Sequence, residues 1–117
     1  MIVVTTESIA GMKVTRTLGV VKGNTVRACH VGEDIMAYVK NLVGGELVEY
    51  TEVIAQAREQ ALDRLVREAR SIGANAVLGL RFSTFYVTPG TAEIMAYGTA
   101  ACVEDLPREP VMETKNS

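Results

Sequence analysis

The stretch ARSIGANAVLGLRF, residues 69–82, decides the fold. Its first half has the spacing of charged and apolar residues that is typical of a helix, Gly73 follows, and the second half is almost continuously apolar. Phosphate-binding loops run from strand through glycine to helix, whereas here the order is helix, glycine, strand. Gly73 then lies at the negative end of the helix dipole, where an anion is repelled. We therefore predict that Gly73 is a left-handed helix cap and not part of a binding loop.

Upstream of Gly73 the spacing predicts one long helix over residues 51–72, with Thr51 as its N-cap. Its apolar residues form a single stripe, opposite a charged face. The stripe consists of Ile54, Ala57, Ala61, Leu62, Leu65, Ala69 and Ile72. A shorter helix is predicted from about Gly32 to the Gly44-Gly45 pair, which ends it.

Downstream of Gly73 the sequence predicts a strand whose alternate residues point to opposite faces. Ala76, Leu78, Leu80 and Phe82 share one face, and Val77, Gly79, Arg81 and Ser83 share the other. The TPGT segment at 88–91 predicts a type II turn, so residues 92–103 return antiparallel to this strand. One face of the returning strand carries small residues and suits a closely packed helix.

The N-terminal part predicts further strands at residues 2–5 and 14–21. The Gly23-Asn24 pair between β-branched residues is typical of a two-residue hairpin, so residues 25–29 are predicted to return as a paired strand. Together the elements predict an α+β domain, with an antiparallel sheet and one long helix packed on one face.

Length and charge limit the classes of function. The chain has 117 residues, which suit one domain at 1–104 followed by a flexible tail at 105–117 that contains two prolines and no periodicity. A net charge of -2 with interspersed signs disfavours nucleic-acid and membrane binding. The N-terminus resembles no targeting signal and no apolar run suits a membrane span, so we expect a cytoplasmic protein whose two cysteines are reduced.

Several motifs in the same order resemble the YbjQ-type family, which is named for heavy-metal binding. They are VVTTESIAG, GVVKG, NLVGG, AREQALDRLVREARSIGANAVLGLRF and YGTAACV, and the resemblance covers about residues 2–104. It implies a fold similar to a dodecin subunit, assembly into rings of five with the help of short extra strands, and no established catalytic activity. Flavin binding by analogy with dodecins is disfavoured, because the chain has no Trp to stack on the ring.

Self-association is also expected from the residues themselves. Both faces of the strand at 76–82 carry apolar side chains, yet one helix covers only one face of a sheet. Neighbouring copies would cover the other face, and the segment ELVEY at 46–50 is a candidate edge for pairing between them.

Metal ligands are sparse in this sequence. Cys29 and His30 are adjacent on a predicted strand and so point to opposite faces, and Cys102 is distant from both. Neither Cys29 nor His30 falls on a motif position of the family, although a ring could gather copies of one residue at its axis. Buried apolar roles are favoured for both cysteines. Carboxylates that could bind a hard cation recur at Glu46, Glu49 and Glu52, but solvated residues near a helix start explain them better.

Arg58 fits a purely structural role least well. On the helical wheel it lies within the apolar stripe predicted to face the sheet, and it matches the AR that opens the helix motif of the family. A buried guanidinium needs a partner, which could be Glu93, Glu7, an acid of a neighbouring copy or an anionic ligand. Pairing is favoured over ligand binding. Arg58, Arg81 and Glu93 are therefore the ligand or interface candidates.

No catalytic residues are predicted, because the single histidine cannot face the adjacent cysteine and no nucleophile-elbow or dinucleotide motif occurs. The sequence identifies no cofactor. Two hypotheses remain: a ring that binds a metal ion or a small anionic ligand at its subunit interfaces, and an interaction protein without a ligand that acts through protein-protein contacts.

Overall fold

The computed structural model describes residues 1–28 and 47–107. Its elements are β1 (Ile2–Val3), β2 (Met12–Ala28), α1 (Leu47–Ser71), β3 (Ala76–Thr88) and β4 (Thr91–Asp105). The described part is thus α+β, with a four-stranded sheet and one helix, which confirms the predicted class. The predicted short helix between Gly32 and Gly45 lies outside the described residues. Within the described ranges, α1 is not apolar enough to cross a membrane.

The sheet is mixed and not purely antiparallel as predicted. Its strand order is β1-β3-β4-β2, in which β4 pairs antiparallel with both neighbours and β1 pairs parallel with β3. A parallel pair needs a long connection between its strands, and β2 and α1 lie on that connection here. The composition of the short β1 does not indicate whether it pairs parallel or antiparallel with its neighbour.

The Gly23-Asn24 hairpin prediction is wrong, because β2 continues straight through both residues and pairs along its whole length with β4. Gly23 lies opposite Ala96 in that pairing. A Cβ at residue 23 would overlap the Ala61 carbonyl oxygen and the Leu65 nitrogen of the helix. The glycine therefore serves the close approach of α1 to the sheet, not a turn.

The helix starts at Leu47 and therefore passes through Thr51, which is not its N-cap. The helical residues 47–50 also overturn the prediction that the segment 46–50 is an edge strand. The predicted cap at the other end is confirmed. Gly73 has a φ of 89°, its N–H donates to the Arg70 carbonyl at 3.0 Å, and the Ala74 N–H donates to the Ala69 carbonyl at 3.0 Å, which is a Schellman motif.

The core lies between α1 and one face of the sheet. The helix contributes a fully buried row that consists of Ala57, Ala61, Leu65 and Ala69. Residues of the same cluster on the sheet include Val21, Val77, Leu80, Ile94, Ala96 and Ala100. The small residues of β4 let the helix approach closely, which confirms the predicted packing of that strand.

A bulge in β3 breaks the predicted alternation of its side chains. The pairing register shifts between Leu78 and Arg81, and Gly79 has a φ of 65°. Val77 and Leu80 consequently join the same core cluster, although they were predicted on opposite faces. The predicted turn at 88–91 is confirmed, since Thr88 pairs with Thr91 and Gly90 has a φ of 90°.

Candidate functional site

Arg58 does not face the sheet in the single chain. The buried row of α1 starts at Ala57 and repeats every fourth residue. Arg58, the next residue after Ala57, is rotated from that row by about 100° around the helix axis. Its side chain is exposed, on a flank shared with the half-buried Ile54 and Leu62. The prediction of a guanidinium packed against the sheet at this position is therefore wrong for one copy.

The other two candidates make contacts within the chain. Arg81 donates from Nη1 to the carbonyl of Thr5 at 2.9 Å and to its neighbour Leu80 at 2.7 Å, so it fastens the N-terminal segment to the β3 bulge. Glu93 accepts a hydrogen bond from Asn24 Nδ2 at 2.7 Å. Among the described residues the one ion pair joins Lys13 and Glu104, so the candidates Arg58, Arg81 and Glu93 do not pair with each other.

The predicted soft-metal ligands do not come together in the part of the chain that the structure describes. Cys102 is half-buried and its Sγ lies 3.4 Å from the Gly73 carbonyl oxygen, a weak hydrogen bond. Cys29, His30 and Glu46 lie outside the described residues, as does the side chain of Glu49, and Glu52 is exposed. Within residues 1–28 and 47–107 no three His, Cys, Asp or Glu side chains are grouped for a metal ion. The described residues therefore do not fit a heavy-metal centre.

The apolar surface that was predicted to need a neighbouring copy lies further along β3 than expected. Ala76 and Leu78, on the face away from α1, are only 0% and 7% exposed in the single chain. The chain itself thus buries both faces of this inner part of the strand. The edge of β3 is also paired as far as Leu80. The Val4 N–H donates to the Val77 carbonyl, and the N–H groups of Gly79 and Leu80 donate to the carbonyls of Thr6 and Val4.

Residues 81–88 of β3, which we call the outer arm, extend beyond this cover. Large apolar side chains remain exposed there: Phe82 (42%), Phe85 (51%), Tyr86 (70%) and Val87 (60%). Phe82 and Tyr86 pair with Ala96 and Ala92 on the helix side of the sheet, whereas Phe85 pairs with Glu93 on the other side. In the described part of the sheet, β1 reaches only Ala76 and Val77, so the outer arm is open along its edge as well as on both faces.

The sheet face opposite α1 is mixed in character. Val20 and Val26 of β2 are 76% and 60% exposed, and Tyr97 beside them is 37% exposed. The Asn24–Glu93 hydrogen bond lies on the same face. A partner that covers this face therefore meets both apolar and polar groups.

A cluster of polar residues at the boundary of α1 and the sheet was not predicted from the sequence. We call Thr25, Arg27, Gln60 and Arg64 the Arg27 cluster. Thr25 is 2% exposed, Arg27 Nη2 donates to Gln60 Oε1 at 3.2 Å, and Arg64 Nη1 donates to the Asn24 carbonyl. Thr25 and Arg27, two polar residues two positions apart on one strand, could have indicated it, but the predicted hairpin placed them on a separate strand that returned from Gly23-Asn24, not on the continuous β2 that pairs with β4.

Comparison with known proteins shows which family this chain is similar to. A family model described as "Putative heavy-metal-binding" matches residues 1–104. A UPF0145 protein of Dehalococcoides mccartyi is 51% identical over 104 residues, which are 89% of this chain and 100% of that protein. One of Pyrococcus horikoshii is 55% identical over 103 residues, which cover 88% of both chains.

A solved structure is similar in fold. It is a protein of unknown function from Pediococcus pentosaceus that belongs to the DUF74 family, with a TM-score of 0.60, 18% identity, and coverage of 89% of this chain and 98% of that one. At this identity the similarity concerns the fold alone.

Proposed function

Since the chain belongs to this YbjQ family, we propose that it is a subunit of a homo-oligomer, a ring of five copies as the resemblance implies, that binds a small ligand. The observation that supports the assembly is the exposed outer arm. Monomeric domains rarely leave a strand with several large apolar side chains open on both faces and along its edge, because such a strand pairs with other chains. A second copy satisfies the open backbone groups and removes the apolar surface from water.

The ligand in this proposal is a small anion in preference to a metal ion. The described residues group no set of metal ligands, whereas they place two guanidinium groups at the boundary of α1 and the sheet. A ring could still gather Cys29, His30 or Cys102 from several copies, so the metal ion remains a testable part of the proposal. The proposed role is binding and not catalysis. The proposed location of the protein is the cytoplasm, as the sequence predicts.

A second candidate is an interaction protein without a ligand. The observation that favours it is the mixed face with Val20, Val26 and Tyr97, whose size and polarity suit a protein partner. Native mass spectrometry of the freshly purified protein, before and after a chelator, separates the candidates. A bound mass that the chelator removes supports a metal, a bound mass that survives it supports another ligand, and bare subunits support the interaction protein.

Sedimentation velocity at micromolar concentration tests the assembly. The wild-type chain is expected to sediment at a multiple of 12.6 kDa, and the double variant Phe85→Glu/Tyr86→Glu as a single copy, because two carboxylates in the interface stay unpaired. Ile72→Glu is the matched control, since Ile72 is similarly exposed at 46% but lies at the end of α1, and it should leave the mass unchanged. A wild-type chain found only at 12.6 kDa would contradict the assembly.

A further inference from the structure

We propose that the Arg27 cluster binds a small oxyanion, a carboxylate or phosphate group, at the boundary of α1 and β2. This deepens the ligand-binding part of the proposed function by naming the residues and the class of ligand. It does not depend on how many copies assemble, because every residue of the cluster belongs to one chain.

The first observation is a pair of polar atoms without partners. Thr25 is the buried polar residue of the described core, at 2% exposure, and its Oγ1 makes no hydrogen bond to any of the described residues. Arg27 Nε is shielded from solvent and also lacks a partner within the described residues. Buried hydroxyl and guanidinium groups are almost always hydrogen-bonded, because leaving them unpaired costs the energy of removing them from water. Two such atoms two residues apart on one strand indicate a missing acceptor.

The second observation is the charge of the surroundings. Arg27 donates to a neutral acceptor, the amide oxygen of Gln60, and Arg64 one turn further along α1 donates to a backbone carbonyl. The nearest carboxylate in the β4 register, Glu93, lies on the opposite face of the sheet, where it accepts from Asn24. In the described ranges neither guanidinium of the cluster has a carboxylate within ion-pair distance. Glu68, one turn beyond Arg64 on α1, instead accepts a hydrogen bond from the backbone N–H of Lys22 at 3.3 Å.

These two observations select the ligand chemistry. A guanidinium presents parallel N–H groups that match the paired oxygens of a carboxylate or phosphate. Solvent still reaches part of Arg27, so an anion meets the guanidinium from its open side. Rotation about the side-chain bonds then brings Nε to the anion, and the Thr25 hydroxyl and the Gln60 amide complete the site as neutral donors.

Thermal unfolding at matched ionic strength tests the site. Sodium phosphate or sodium acetate, compared with sodium chloride, should raise the Tm of the wild-type chain by about 3 °C or more, since a ligand of the folded state stabilises it by mass action. Arg27→Gln should abolish the rise. The control is Arg67→Gln on the exposed face of α1, which should keep it. The anion whose rise Arg27→Gln reduces more, relative to Arg67→Gln, identifies the preferred group, because phosphate also stabilises proteins in general by exclusion from their surface.

Thr25→Val keeps the inference testable if Arg27→Gln does not fold. If the hydroxyl contacts the anion, the variant should unfold at a higher temperature in chloride, because an unpaired buried polar group is gone, yet lose at least half of the rise in phosphate or acetate. A purely structural hydroxyl would give the first effect without the second. Equal Tm values of the wild-type chain in all three salts, or an unchanged rise in both variants, would overturn the site. The same samples sedimented in chloride report the assembly separately.

Discussion

Gly23 shows how a single residue sets the distance between helix and sheet. The backbone of α1 lies so close to β2 that a side chain at residue 23 would overlap main-chain atoms of Ala61 and Leu65 and come within 2.9 Å of Arg64 Cβ. Main-chain atoms of a helix cannot move aside as the end of a flexible side chain can. The Arg27 cluster depends on this close approach, because the 3.2 Å bond between Arg27 and Gln60 spans the same boundary.

Replacing Gly23 by Ala is therefore expected to lower the free energy of unfolding by about 3 kcal/mol, the upper range for overpacked cores. Chemical denaturation measures it. Gly11→Ala is the control, since a Cβ there meets nothing within 4 Å and only the φ of 80° is unfavourable, at about 1 kcal/mol. Equal losses for the two variants would show that the helix can move away from β2 without cost.

At the scale of elements, Asn75 joins three strands at the end of α1. Its side chain exchanges two hydrogen bonds with the backbone of Val103, as donor to the carbonyl at 2.9 Å and as acceptor from the N–H at 2.8 Å. Its backbone donates to Ala101 of β4 and accepts from Ile2 of β1. The residue therefore extends the sheet by one position between the Schellman cap and β3.

Asn75→Asp is expected to lower the free energy of unfolding at pH 7 by about 2 kcal/mol, because a carboxylate oxygen replaces the donor that faces the Val103 carbonyl. Urea denaturation is the measurement. The opposite exchange at an exposed ion pair, Glu104→Gln, is the control and should stay within about 0.5 kcal/mol of the wild-type chain. A loss no larger than that of the control would mean that water replaces this bond freely.

At the scale of the whole molecule, one chain buries its inner part and exposes its outer part. The core below α1 is complete, with Leu65, Val77 and Ile94 at 0%, 0% and 1% exposure. The outer arm instead leaves Phe85 and Tyr86 at 51% and 70%. Such a chain has a core of its own to fold around, and in the proposed assembly a second copy would cover the arm.

If folding and assembly are linked in this way, the Tm of the wild-type chain should rise by several degrees between about 1 and 100 µM protein, because dilution favours dissociated and less stable copies. Differential scanning fluorimetry at a series of concentrations measures this. The variant Phe85→Glu/Tyr86→Glu should have a Tm that is independent of concentration. A concentration-independent Tm of the wild-type chain would indicate that the arm adds nothing to stability.

The sequence by itself determined the α+β class, the long helix with its Gly73 cap and the turn at 88–91, because these depend on local backbone preferences and on periodic apolar spacing. The family followed from the resemblance of several motifs in the same order. Only the tertiary structure decided the rest: the parallel direction of β1, the uninterrupted course of β2 through Gly23, and the exposed position of Arg58. Each of these depends on which surfaces meet in space. The sequence does not distinguish a glycine that permits a turn from a glycine that permits a helix to approach. The residues that pack against the glycine in the folded chain decide which it is.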